Sequence, residues 1–174
     1  MIELVTLGML MQGRMSGYDI KKITEQTIGT FYKMSYGSLY PALKRLVTEG
    51  FVTEEETNDS KNKKLYTVTN KGRQHFLEWL SEPLKSNKRE YMVKVFFYDY
   101  LDEETKRRNL HDYQRSIERT LNQLKAVQAV VSQELDQLDK KDQYYYRVST
   151  MHYGLKFFQM ENEWIKQIIN KENF

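Results

Sequence analysis

Apolar positions in the first half of the chain come in short bursts punctuated by glycine. In the second half they recur every three or four residues over long stretches. The first burst, residues 2–12, predicts a helix closing at Gly13. Ser16 is placed to cap a second helix over roughly residues 17–28, with Asp19 near its positive end. Tyr18, Ile20, Ile23, Thr27 and Ile28 form its irregular apolar side, and Gly29 is its stop. In SYGSLYPALKRLVTEGFV (35–52), an advance of about 100° per residue gathers Leu39, Leu43, Leu46 and Val47 on one side. Gly37, Ser38, Pro41, Lys44, Arg45 and Thr48 gather on the other. A proline is tolerated in the first turn of a helix, so this helix begins no earlier than about Tyr36 or Gly37, and it ends at Gly50.

Phe51–Glu56 and Leu65–Thr69 are β-like, and the tract TNDSKNKK (57–64) between them has the chemistry of a loop. They predict a hairpin with Lys61, Lys63 and Lys64 toward its tip and Glu54, Glu55 and Glu56 nearer its base. Thr69 caps a further helix, NKGRQHFLEWL, that buries Phe76, Leu77 and Leu80 and ends before Pro83. Helix, helix, helix, hairpin, helix is the order of a winged helix-turn-helix, whose third helix is the major-groove candidate. The polar side of that third helix becomes intelligible on this basis. Gly37 and Ser38 permit close approach of a backbone or base edge, Lys44 and Arg45 reach phosphate or guanine, and Pro41 and Thr48 are DNA-contact candidates on the same side.

The polar stretch PLKSNKRE (83–90) marks the boundary between a DNA-binding domain (1–82) and a helical domain (91–174). Beyond it, YMVKVFFYDYL (91–101) predicts an aromatic helix, and Asp102, Glu103 and Glu104 suit the start of a long one. Tyr113, Ile117, Leu121, Leu124, Val127, Val131, Leu135 and Leu138 sustain its seam. A last helix carries Val148, Met151, Leu155, Phe158, Asn162, Ile165 and Ile169 at alternating spacings of three and four. That is a coiled-coil pattern with an asparagine, Asn162, in one core slot, read either as a polar residue on an exposed turn or as a buried amide that fixes register. Two such helices make an antiparallel pair too thin to bury its apolar faces, so a second copy of the chain is expected along these seven positions. The expected fold is mostly α with a small β-hairpin: an N-terminal winged helix-turn-helix and a C-terminal long-helix antiparallel dimerisation domain. A symmetric dimer presents two recognition helices to a palindromic duplex.

Composition narrows the function further. Of 174 residues, 40% are hydrophobic and 29% charged, a globular balance. No run approaches the ~20 apolar residues of a membrane span, and the N-terminus lacks the basic start of a signal peptide. A cytoplasmic protein without a membrane partner is expected. The absence of cysteine excludes disulfides and thiolate metal sites. Net charge is only +3, but residues 1–89 hold 14 Lys/Arg against 10 Asp/Glu, while residues 90–174 hold 13 against 14. The basic excess therefore lies in the half expected to meet phosphate. His75, His111 and His152 fall on separate predicted helices, and neither a phosphate-cradling glycine loop nor a nucleophile elbow is present. An enzyme, a metal site and a bound cofactor are accordingly not expected.

The N-terminal half resembles the PadR family of transcriptional regulators through LGMLMQGRMSGYDI (7–20), SYGSLYPALKRLVTEGFV (35–52) and KKLYTVTNKGRQHFLEWL (63–80). Gly17-Tyr18, Ser38-Leu39-Tyr40-Pro41, Glu49-Gly50, Tyr66, Thr69, Gly72 and Trp79-Leu80 carry the likeness, and Gly154 and Trp164 extend it more loosely. The chain departs from the family at Gly13-Arg14-Met15, where Gly-Pro is common, and at Lys63-Lys64 in the wing. The resemblance implies a dimeric repressor, released from DNA in some members by a small molecule, here a small aromatic effector. It places Tyr18, Ser38, Tyr40, Lys44 and Arg45 where such regulators meet DNA, and Lys61, Lys63 and Lys64 on flanking phosphate. A dimeric adaptor whose winged helix binds protein is the alternative from another class, and it would not require a basic side at Lys44 and Arg45.

Overall fold

The computed structural model describes residues 1–57, 64–85 and 88–172. They form two compact units, Met1–Lys106 and Arg107–Phe174.

In the first unit, α1 (Ile2–Leu10), α2 (Gly17–Thr27) and α3 (Tyr36–Thr48) pack together and are followed by β2 (Val52–Glu56), β3 (Lys64–Val68) and α4 (Asn70–Ser81). Ser16 and Asp19 form a reciprocal capping box on α2, and Thr69 Oγ accepts from the Gly72 amide at the start of α4. Both starts were legible in the sequence. The helices pack through Val5, Leu7, Met9, Ile20, Leu39, Leu43, Leu46, Phe76 and Leu80, all buried. The winged helix-turn-helix order is thus as expected, with one addition. Met15–Ser16 forms a short strand, β1, antiparallel to β3, so the sheet has three strands in the order β1-β3-β2. Two residues are too few to carry an alternation signal.

The first unit also runs past the polar stretch at 83–90. α5 (Lys88–Phe96) starts inside that stretch, and the apolar run expected to be one helix over 91–101 breaks into α5 and a 3-10 turn at Tyr98–Tyr100. The reason for the extension is aromatic packing. Phe97 meets Phe76 edge-on at 5.3 Å and lies so close over Gly8 of α1 that a Cβ there would fall 2.6 Å from its ring.

Lys94 of α5 is fully buried in the same region. Its ammonium donates to the Glu82 carbonyl at 3.3 Å, lies 3.5 Å and 3.8 Å from the Glu82 and Glu90 carboxylates, and sits 5.0 Å from the Trp79 ring centre. Burial outweighs these partners and lowers its pKa below the usual lysine value. The folded state therefore holds this proton less tightly than the unfolded chain. Stability should rise with pH from the folded pKa up to the unfolded value of about 10.4. Lys94→Met combined with Glu90→Gln removes the buried ammonium and the charge of its half-buried carboxylate partner, and should abolish that rise and add about 1–4 kcal/mol at neutral pH. Thermal denaturation followed across pH checks both expectations.

In the second unit, α6 (Glu103–Asp136), capped by the Asp102 carboxylate on the Thr105 amide at 2.8 Å, leads through a 3-10 turn at Lys141–Tyr144 into α7 (Tyr145–Asn170). That hydrogen bond holds the Asp102 carboxyl below its ordinary range. α7 runs back along α6: the Tyr113 hydroxyl donates to the buried Glu161 carboxylate at 3.3 Å, and Val127, Val131 and Leu135 face Val148 and Met151. The fold class is therefore mostly α with a small antiparallel sheet, carrying two long C-terminal helices.

Along the expected α7 seam, Leu155 and Ile165 are 4% and 0% exposed within one chain, so they are already covered without a second copy. Val148, Met151, Phe158 and Ile169 are half-buried. Asn162 has its amide oxygen buried, with no hydrogen bond from the described residues. The exposed apolar stripe of α7 lies elsewhere, at Tyr146, Tyr153 and Met160, which are 81%, 72% and 57% exposed and spaced by seven.

Candidate nucleic-acid interface

α3 is held by one side and offers the other. Leu39, Ala42, Leu43 and Leu46 are buried, whereas Gly37, Ser38, Pro41, Lys44, Arg45 and Thr48 are all exposed. At about 100° per residue these six occupy an arc of about 120°, with Lys44 at one edge and Arg45 toward the other. Ser35 caps the helix, its hydroxyl accepting from the Ser38 amide at 3.3 Å, and the Ser38 hydroxyl donates back to the Ser35 carbonyl at 3.0 Å. The helix starts at Tyr36, as expected, which places Pro41 past its first turn. Having no N–H, it leaves the Gly37 carbonyl without its helical donor, on the exposed side where water can reach it.

The tyrosines extend this surface. Tyr40 stacks on Tyr36 with ring centres 5.9 Å apart, and its ring lies against Gly17 at the start of α2, where a Cβ would meet it at 2.9 Å. A side chain at residue 17 would push Tyr40 away, which explains the glycine before Tyr18. Tyr18, Tyr36 and Tyr40 are exposed together. Tyr36 had not been singled out, and its signal was available: it stands one turn before Tyr40.

Most cations around this surface carry carboxylate partners. Arg45 Nε donates to Glu3 of α1 at 2.6 Å, Arg14 pairs with Glu55 at 2.9 Å, and Lys21 pairs with Glu25 beside the Tyr36 ring. Lys44 has no ion-pair partner among the described residues. The wing differs from expectation. Glu56 stands directly opposite Lys64 in the β2–β3 register, and Lys64 lies 3.0 Å from Glu54 and 3.7 Å from Glu56. Glu54 above all raises the Lys64 pKa. Acidic and basic residues expected at opposite ends of the hairpin thus meet on one strand pair. Lys61 and Lys63 lie outside the described residues.

Both parts of the chain are similar to known proteins. Residues 6–78 match the family model described as the transcriptional regulator PadR-like family, and residues 87–171 match the virulence activator alpha C-terminal model. The chain is 35% identical over 105 residues to the negative transcriptional regulator PadR of Bacillus subtilis (strain 168). That alignment spans 58% of this chain and 58% of the relative's length. Among solved structures, Bacillus subtilis PadR in complex with operator DNA is 25% identical, with 97% of each chain covered and a TM-score of 0.46. A PadR-like regulator from Bacillus cereus is 24% identical, with 98% of this chain and 97% of that one covered and a TM-score of 0.44. The sequence matches lie where the capped α2, the two-sided α3 and the β2–β3–α4 segment lie, so residues 6–78 are similar to the transcriptional regulator PadR-like family.

Proposed function

We propose that the protein is a homodimeric, sequence-specific DNA-binding repressor that reads a palindromic operator. α3 enters the major groove, and the β2–β3 wing lies over flanking phosphate. The observation that carries this reading is the continuous exposed side of α3, slim at Gly37 and Ser38 and cationic at Lys44 and Arg45, on a helix whose opposite side is buried. A protein-binding adaptor has no use for that combination. Tyr18, Tyr36 and Tyr40 add hydroxyls at phosphate height beside the groove. Repression rather than activation is favoured by the relative's description as a negative regulator, and occlusion of a promoter requires only a bound dimer.

Dimerisation is assigned to the C-terminal unit, on the exposed stripe Tyr146, Tyr153 and Met160 together with the half-buried Phe157 and Trp164. An aromatic stripe of this kind on a long helix is what a second copy would cover. A small aromatic effector is assigned to the cleft of about 520 Å³ between α6 and α7, walled by Val131, Leu135, Val148 and Met151, with Arg147 beside the Tyr144 ring. Mostly apolar walls suit a ring, with one cation, Arg147, and one anion, Glu134, to orient its polar groups.

The test is selection of bound duplexes from a random pool, followed by titration of the selected duplex against salt. One palindromic consensus is expected, with log affinity falling linearly in log salt at a slope of about −0.9 per phosphate contact. Absence of any salt-sensitive duplex binding would replace this reading by the adaptor.

A further inference from the structure

We infer that Glu3 is a specificity-determining positioning residue, which holds the Arg45 guanidinium in the orientation that reads DNA. The inference rests on the proposed α3–duplex reading and goes beyond it, because Glu3 lies outside the recognition helix and has the wrong charge for phosphate. Glu3 Oε1 takes the Arg45 Nε hydrogen at 2.6 Å, joining the first turn of α1 to the last turn of α3. Both helices are anchored by buried residues on either side of the pair, Val5 and Leu7 in α1 and Leu43 and Leu46 in α3. The carboxylate therefore sits on a fixed support.

Both side chains are partly exposed, at 54% for Arg45 and 37% for Glu3. An exposed pair of this kind adds little to folding stability, so stability does not account for it. Its geometric effect is larger. A free arginine at the edge of the α3 arc sweeps many rotamers, and ordering it on binding costs affinity. Tethered through Nε, it keeps both terminal nitrogens available for a bidentate contact with a guanine edge or a phosphate.

Charge and position make opposite predictions for the loss of Glu3. By charge alone, removing an anion near the duplex should tighten binding to every sequence. By positioning, removal should weaken binding to the selected sequence and spare the rest. Glu3→Gln should lower affinity for the duplex selected by the wild-type protein by about five- to tenfold. It should leave affinity for a scrambled duplex of equal length unchanged or slightly tighter. Arg45→Lys, which keeps the charge and loses the Nε anchor and the fork, should lose the same selected-to-scrambled ratio, and adding Glu3→Gln to it should change that ratio no further. Thermal denaturation of Glu3→Gln close to that of the wild type is expected from the exposure of the pair. A selected-to-scrambled ratio unchanged by Glu3→Gln, or tighter binding to both duplexes, overturns the inference alone. Failure of the wild-type protein to bind any duplex overturns the proposed function and the inference together.

Discussion

Replacing Tyr153 and Met160 of α7 by glutamate should convert the protein to a monomer and collapse its affinity for a palindromic duplex. Both side chains are exposed in the single chain and lie two helical turns apart on one face. Burying a large apolar side chain contributes about 1.5–3 kcal/mol, and seating a carboxylate in its place adds an unfavourable desolvation. Symmetry counts each change twice. The combined loss exceeds about 5 kcal/mol, more than a thousandfold in the dimer dissociation constant. Sedimentation of the double variant should report one chain. Its melting temperature for the folded chain should stay near that of a dilute wild-type sample, because neither side chain is part of the intrachain core. A dimer of undiminished affinity would remove α7's exposed stripe from the interface. The corresponding change at Leu155 or Ile165 should unfold the second unit instead, because these residues are buried inside it.

Reversing the charge of Lys44 should have the next largest effect, this time on DNA and not on assembly. Lys44 is exposed at the edge of the α3 arc and has no ion-pair partner among the described residues, so Lys44→Glu breaks no intrachain ion pair among them. In a dimer the change removes two phosphate contacts, and the slope of log affinity against log salt should shrink by about 1.8. The added repulsion should bring the fall in affinity to about a hundredfold at low salt, and the fall should narrow as salt is raised. Lys64→Glu should do less, because Glu54 and Glu56 already offset that ammonium. Binding curves for the two variants at several salt concentrations separate these expectations.

Much of this surface was open to local reasoning. A helix period sorts residues onto sides without reference to the rest of the chain, so the buried Leu39, Leu43 and Leu46 and the exposed Gly37, Ser38, Lys44 and Arg45 could be assigned from spacing. Caps are equally local: Ser16 and Asp19 are three residues apart, as are Thr69 and Gly72. The family resemblance rests on the same short stretches, and the family model covers them. Three features escaped. β1 exists only because β3 is beside it. The first unit extends to Lys106 because Phe97 finds Gly8 and Phe76 across the fold. The α7 seam looked like an intermolecular coiled coil because a period of three and four states that a face is buried and leaves open what buries it.

The sequence by itself determined where helices start, which side of each is apolar, the winged-helix order of the first half, and the likeness of that half to PadR-like regulators. Those properties depend on backbone and side-chain interactions a few residues apart, whose physics does not change with the fold. Only the tertiary structure decided that Glu3 meets Arg45 across 42 positions, that Lys64 faces the acidic strand, and that Lys94 is sealed between Glu82, Glu90 and Trp79. It also decided which stripe of α7 is left exposed. Charge pairing and burial act through space, and distance along the chain carries no record of which distant residues folding will bring within a few ångströms.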